Sequence, residues 1–343
     1  MNKFIIIFII LCNYCFSQNY TGKLILTTRW FHPRNSMDTL STLKAIRDFK
    51  PSRIDWVYTN DSNVTNIFKK LNIAYSLTAN PMCPDSSGYT TQKLRIKTIN
   101  GETYIAPWMK SWKIKTPYWG CVNNPEFQKL FLDYTKSLVK LGPDGIMVDN
   151  PEFNARLERD KLIGCFCDHC ERKFINKKFR YKRNKNKLEE EIKTLIENSK
   201  DKNFKKNELQ IKYEEFQINS VTKFLANWKK ELLKTNPNLK FFCNNYNGEW
   251  RKYHLIFDGG IAEITESNIN DKKLDELYKL SDSLKKSQLF NCNSGDFSLH
   301  EKLLIYNLKH NRDILIPWDL FILGEKNRFY MDEKKFNEII NEY

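Results

Sequence analysis

Two kinds of side chain in this sequence could do chemistry: carboxylates that close apolar runs, and thiols crowded into one short stretch. Both occur between Gly142 and Cys170, in GPDGIMVDNPEFNARLERDKLIGCFCDHC. Ile146, Met147 and Val148 form an apolar run that stops at Asp149-Asn150-Pro151. A fully buried parallel strand has this pattern, with its polar residues at the carboxyl end. Sites in α/β folds gather at that end, so Asp149 is the first catalytic candidate; the plain alternative is an aspartate that caps the following loop. Farther on, Cys165, Cys167 and Cys170 place three thiols within six residues. They can converge on one metal ion with little loop to close.

A second acid comes from a repeated spacing. Asp258-Gly-Gly-Ile-Ala-Glu263 matches Asp144-Gly-Ile-Met-Val-Asp149, five residues from aspartate to acid in each. Both read as a turn, a strand and a carboxylate at its end. Glu263 is therefore the preferred partner of Asp149, with Glu266 second and Asp319 third. The structural alternative for Glu263 is an ion pair with Arg29 or a lysine. Two such carboxyl groups, one ionised and one protonated, can serve together as a nucleophile or base and an acid.

These residues need a scaffold, and the chain supplies alternating elements. Strand-like runs cover Lys23–Phe31, Arg53–Thr59, Ile73–Asn80, Gly145–Asn150, Leu239–Tyr246, Gly260–Glu266, Gln288–Asn293 and Ile314–Asp319. Between them lie helical patterns, the clearest over Pro125–Leu141, where Phe127, Leu130, Phe131, Tyr134, Leu138 and Val139 recur at helical spacing behind Asn124 as cap. Eight strands alternating with helices predict an α/β protein with a parallel sheet. A chain that stops with the eighth helix fits a (β/α)8 TIM barrel, with a long loop after strand three and a charged helical insertion after strand four. The Gly-rich dinucleotide turn is absent after the first strand, which counts against an open doubly wound sheet; no organic cofactor is expected. A barrel gathers the strand ends on one rim: Arg29, Trp30, Tyr58, Asn80, Asn150, Asn244, Asn245, Asn291, Trp318 and Asp319 join the acids there. Aromatic faces, amides and carboxylates together suit a sugar. Trp108, Trp112 and Trp119 of the long loop either pack over the barrel or offer a sugar platform.

Composition narrows the partners. Residues 1–18 (MNKFIIIFIILCNYCFSQ) have one lysine, an apolar run and then small and polar residues, a secretory signal peptide. No run is long enough to span a bilayer, so the mature chain, 19–343, is expected to be one exported barrel domain. Seven of the nine cysteines remain after cleavage. Disulfides are the default outside the cell; the odd count with a thiol cluster suits a metal and a few buried free thiols, with His169 able to replace one thiol. The net charge of +15 is concentrated around residues 171–215. A solvated surface insertion accounts for it, as does an acidic polysaccharide partner; export argues against nucleic acid.

Tyr118-Trp-Gly-Cys-Val-Asn-Asn-Pro-Glu-Phe127, Met147-Val-Asp-Asn150 and the Cys165/Cys167/Cys170 cluster, in that order, resemble family 42 glycoside hydrolases, barrel β-galactosidases. That resemblance implies four zinc thiolates, Cys121, Cys165, Cys167 and Cys170, closing a structural tetrahedral site. Pro151 stands where the family carries its acid glutamate, with Glu152 one place later, and QLFNCNSGD of the seventh strand holds no glutamate nucleophile. The form DGIMVDNP before a CxCxxC loop also resembles uncharacterised glycoside hydrolases related to the α-glycosidase barrels, in which an aspartate ending strand four is the nucleophile; this falls on Asp149. The expectation is an exported glycoside hydrolase acting on oligo- or polysaccharide. An inactive carbohydrate-binding barrel is the alternative.

Overall fold

The computed structural model describes residues 22–27, 46–47, 49–82, 91–111, 118–178, 190–191, 193–194, 197, 208–292, 296–317, 338–339 and 342. The signal sequence, Arg29, Trp30, Cys83, Trp112, Trp318, Asp319 and most of the basic insertion lie outside them. The strands are short: β1 (Leu24–Thr27), β2 (Arg53–Val57), β3 (Ala74–Ala79), β4 (Gly145–Val148), β5 (Lys240–Cys243), β6 (Gly259–Ile264), β7 (Ser287–Cys292) and β8 (Ile314–Pro317). They pair in parallel in the order β7-β6-β5-β4-β3-β2-β1-β8. With β7 lying against β8, the sheet curls into the predicted (β/α)8 barrel.

Side chains alternate between two apolar layers, as strand geometry requires. Inward, Ile25, Trp56, Met147, Phe242, Ile261, Leu289 and Leu315 fill the barrel. Outward, Ile54, Val57, Leu77, Ala79, Ile146, Val148, Phe241 and Cys243 meet the helices. The helices longer than one turn with described ranges are α1 (Ser62–Lys70), α2 (Pro125–Lys140), α3 (Asp168–Lys178), α4 (Glu208–Leu233), α5 (Asp271–Ser283) and α6 (Phe297–Lys309). Asn124 caps α2 as the sequence predicts, its Oδ1 accepting from the N–H groups of Glu126 and Phe127. Phe127 and Phe131 of α2 pack against Phe224 of α4 at 6.3 and 5.6 Å between ring centres. Trp228 of α4 donates its indole N–H to Thr135 of α2 at 2.8 Å. No helix among the described residues is long and apolar enough to cross a membrane.

The repeated Asp-to-acid spacing has a structural cause. The Asp144 carboxylate accepts the backbone N–H of Tyr75 at 2.9 Å, and the Asp258 carboxylate accepts that of Phe241 at 2.9 Å. The N–H groups of Asp144 and Asp258 donate in turn to the carbonyls of Tyr75 and Phe241. Each aspartate thus pins its strand to the preceding one at the same height, and five residues on, the odd offset turns an acid inward.

Beside β6, Tyr253 and His254 are buried against the outer layer. His254 Nδ1 accepts the N–H of Arg251 at 3.1 Å. Burial, then the charge of Arg159, lowers its pKa from 6.5 to about 3. The unfolded chain therefore binds the extra proton at a pH where the native one does not. The stabilising effect is complete above pH 6.5 and drains away as pH falls from 6.5 toward 3, at about 1.4 kcal/mol per unit. Urea midpoints measured across that window should fall steeply for the wild type and less steeply for His254→Asn, whose Oδ1 can replace the acceptor. Parallel profiles would remove His254 from the acid transition.

Candidate functional site

A bulge in β2 starts the site. Ile54 pairs with Tyr75 and Val57 with Leu77, so β2 carries one extra residue against β3. Trp56 takes it up with a φ of 63°, in the left-handed region where an indole side chain is unusual. Strict alternation would send Trp56 and Tyr58 outward. The bulge turns both inward: Trp56 joins the interior layer with Tyr58 packed on it, and its indole N–H donates to the Tyr58 hydroxyl at 3.3 Å. Below them, Asp55 is sealed at the barrel floor, taking Arg53 at 2.7 Å and the Ser76 hydroxyl at 2.7 Å.

Tyr58 reaches across to β4. Its hydroxyl donates to Asp149 Oδ2 at 2.5 Å. Burial, then the negative charge of Asp149, holds the phenol well above its ordinary pKa, so it stays protonated and donates. The other oxygen, Oδ1, accepts from Asn244 Nδ2 at 3.0 Å, and the same amide donates to Glu263 Oε2 at 3.1 Å. Asn244 follows β5, the strand between β4 and β6, and its N–H is fixed on the Val148 carbonyl at 3.1 Å. One –NH2 group therefore spends one hydrogen on each acid. The two accepting oxygens can be no farther apart than the sum of those lengths, about 6 Å.

The other residues singled out in the sequence fall elsewhere. Glu266 stands beyond the strand, exposed, where a 3-10 turn (Glu266–Asn268) begins. β6 ends two residues earlier than its apolar run suggests, because Asn247 Oδ1 accepts the Thr265 N–H at 2.9 Å and bends the chain. Asn245 is fully buried on the outer side, in a reciprocal amide pair with Gln288 at 2.8 and 3.2 Å. Asn80 accepts the Met82 N–H in a local turn at 3.0 Å. Asn150 occupies the left-handed turn after Asp149, φ 54°. Glu152 is buried against Arg156 at 3.1 Å and Arg159 at 3.9 Å. Trp119 is buried and edge-packed by Tyr104 and Trp108, while Arg156 stacks over Trp108 at 4.5 Å. The sequence places both Asn244 and Asn245 on the rim and favours Asn245 for the sugar; only the inward position of Phe242 tells that Asn244 is the one that faces the lumen.

Behind β4 a second centre forms. The sulfurs of Cys121, Cys165, Cys167 and Cys170 are all buried and lie within 4.8 Å of one another, without His169. Cys121 is 3.4 Å from both Cys167 and Cys170, too far for a disulfide, and all six described cysteines are free. Four sulfurs around zinc at about 2.3 Å would be about 3.8 Å apart. The sulfurs also receive N–H donors: Asn154 Nδ2 lies 3.2 Å from Cys121 and 3.4 Å from Cys170, and Asn123 Nδ2 lies 3.2 Å from Cys170. Such donors suit thiolates. The set fits a metal, and it ties the loop before α2 to the loop after β4. Helix α4 covers it, with Tyr213 donating to the Cys165 carbonyl at 2.5 Å and Gln217 at 3.2 Å.

No protein-family model matches the chain, and no curated protein matches it in sequence. Solved structures do match. The β-galactosidase from Rahnella sp. R3 superposes with a TM-score of 0.59 at 12% identity, covering 94% of this chain and 56% of the other. The β-galactosidase from the psychrophilic Marinomonas ef1 gives 0.60 at 8%, covering 93% and 59%. A catalytic mutant of a family 42 β-galactosidase from G. stearothermophilus gives 0.58 at 12%, covering 93% and 56%. The shared feature is the barrel fold. The chain spans less than two thirds of the length of these neighbours, all of them named as β-galactosidases.

Proposed function

We propose that this protein is an exported glycoside hydrolase that cleaves oligo- or polysaccharide with retention of anomeric configuration. The observation that carries the reading is the single Asn244 amide shared by Asp149 and Glu263. Retaining enzymes hold their two carboxyl groups about 5–5.5 Å apart, inverting ones about 6.5–9.5 Å; Asn244 holds one oxygen of each acid within about 6 Å of the other, a close approach that supports the first. Asp149 is the nucleophile. Its oxygen forms a bond to the anomeric carbon as the glycosidic bond breaks, and Glu263 delivers its proton to the departing oxygen. Glu263 then removes a proton from water, which attacks the anomeric carbon and releases Asp149. Tyr58 and Asn244 fix the nucleophile from both sides and keep its charge solvated where water is excluded.

Cys121, Cys165, Cys167 and Cys170 hold a structural zinc, which leaves no open coordination position and braces the loop after β4. Export rests on the leader at residues 1–18, and the basic residues around 171–215 favour an acidic polysaccharide among the substrates.

Purified protein incubated with α- and β-linked glycans and followed by proton NMR should release a first-formed product with the substrate's anomeric configuration. An inverted first product would refute retention, and failure to cleave any glycan would favour the carbohydrate-binding barrel.

A further inference from the structure

β7 brings a neutral residue to the side of Glu263. Asn291 and Glu263 are direct partners in the β6–β7 register. Leu289, two residues earlier, packs in the barrel interior beside Ile261, so alternation turns Asn291 inward as it does Glu263. Asn291 is completely buried, yet among the described residues neither its Oδ1 nor its Nδ2 has a hydrogen-bond partner. A buried side-chain amide with both ends unmet is rare, because water's hydrogen bonds are lost and nothing replaces them. Glu263 lies next to it but takes the Asn244 amide instead. The Thr78 hydroxyl on β3 and the Asn244 Oδ1 are likewise buried and unmet, and both belong to inward-facing positions. Three uncharged polar groups, from β3, the end of β5 and β7, thus stay unpaired at inward-facing positions of the barrel, two of them on residues adjoining Glu263.

We propose that Asn291 is a specificity-determining residue that reads two neighbouring hydroxyls of the sugar bound between Asp149 and Glu263. Its Oδ1 accepts from one hydroxyl and its Nδ2 donates to the next, the pairing that an amide offers a vicinal diol. The proposal rests on the glycoside hydrolase reading. A site built to hydrogen-bond a hydroxyl rejects the analogue that lacks it, since its own polar atoms are then left unpaired. Asn291 would therefore select the orientation of a hydroxyl pair on the ring.

The probes are p-nitrophenyl α- and β-glucosides and galactosides with their monodeoxy analogues, hydrolysed by wild type and Asn291→Leu. On the best parent glycoside kcat/KM should fall about 10- to 100-fold in the variant. The wild-type-to-variant ratio should shrink about tenfold on the one or two analogues lacking the contacted hydroxyls, and stay unchanged on the rest. Tm should hold or rise, because two unmet polar atoms leave the interior. Asn291→Ala provides the same comparison should the leucine not fit. Equal activity of variant and wild type, or the same loss on every analogue, would overturn the role of Asn291 while leaving the hydrolase reading intact. A wild type that hydrolyses none of these parents and cleaves none of the α- and β-linked glycans would overturn the hydrolase reading and this one with it.

Discussion

Asp149→Asn should fold and lose about 10⁴-fold in kcat, equivalent to roughly 5.5 kcal/mol of transition-state stabilisation. The substitution conserves volume but removes the charge that, in the proposed mechanism, bonds to the anomeric carbon. Its structural cost is small and specific. Asp149 accepts on both oxygens, from Tyr58 on one and Asn244 on the other, whereas an amide has a single acceptor. One of the two donors must turn away, at roughly 1 kcal/mol, or a fall in Tm of about 2 °C. The two effects separate in a single preparation: calorimetry reads the second, and turnover of the best p-nitrophenyl glycoside reads the first. Asp149→Ala with added azide extends the test. A small anion entering the vacated space attacks from the nucleophile's side, and the expected product is a glycosyl azide of inverted configuration. Wild-type turnover by Asp149→Asn would remove the nucleophile assignment, whatever the stability result.

Cys170→Ser should cost more stability than any surface change. Cys170 sits 3.4 Å from Cys121 and receives Asn123 at 3.2 Å. Removing its sulfur breaks the proposed four-ligand set; a metal held there would bind only the folded chain, so its binding energy would become folding energy. A loss of about 3–5 kcal/mol is expected, a fall in Tm of about 6–10 °C. Elemental analysis should find one zinc per wild-type chain and none in the variant. A chelator should bring wild-type Tm down toward that of the variant. Below its transition temperature the variant should still hydrolyse glycosides within about tenfold of wild type, since a closed four-sulfur site has no position for substrate. A wild type free of metal, with a Tm indifferent to chelator, would refute the zinc site.

Much of this was legible in the chain order. The alternation of apolar strands and amphipathic helices is a local property, repeated eight times, and it predicts the barrel because consecutive parallel strands need a helix between them. The acid at the end of β4 is equally local: Ile146 to Val148 must be buried, so the polar residue that follows emerges at the rim. The spacing shared by Asp144/Asp149 and Asp258/Glu263 survives into the structure because each leading aspartate binds the neighbouring strand's N–H. The thiol spacing similarly predicts convergence, since Cys165, Cys167 and Cys170 are too close in sequence to disperse.

Which inward residues meet was a tertiary matter. Tyr58 reaches Asp149 only because a bulge at Trp56 reverses the alternation of β2, and nothing in Arg53–Thr59 marks where an extra residue will be absorbed. Asn244 rather than Asn245 bridges the acids because Phe242 fills the interior and Phe241 the outer layer, a choice fixed by neighbours on β4 and β6. Glu266 is carried off the strand by Asn247, eighteen or more residues earlier in the chain. The sequence by itself determined the elements and the chemistry available at their ends, because periodicity and spacing are local. Only the closed barrel decided which amide, phenol and carboxylates share a wall, because register and bulges are set by contacts between strands far apart in the chain.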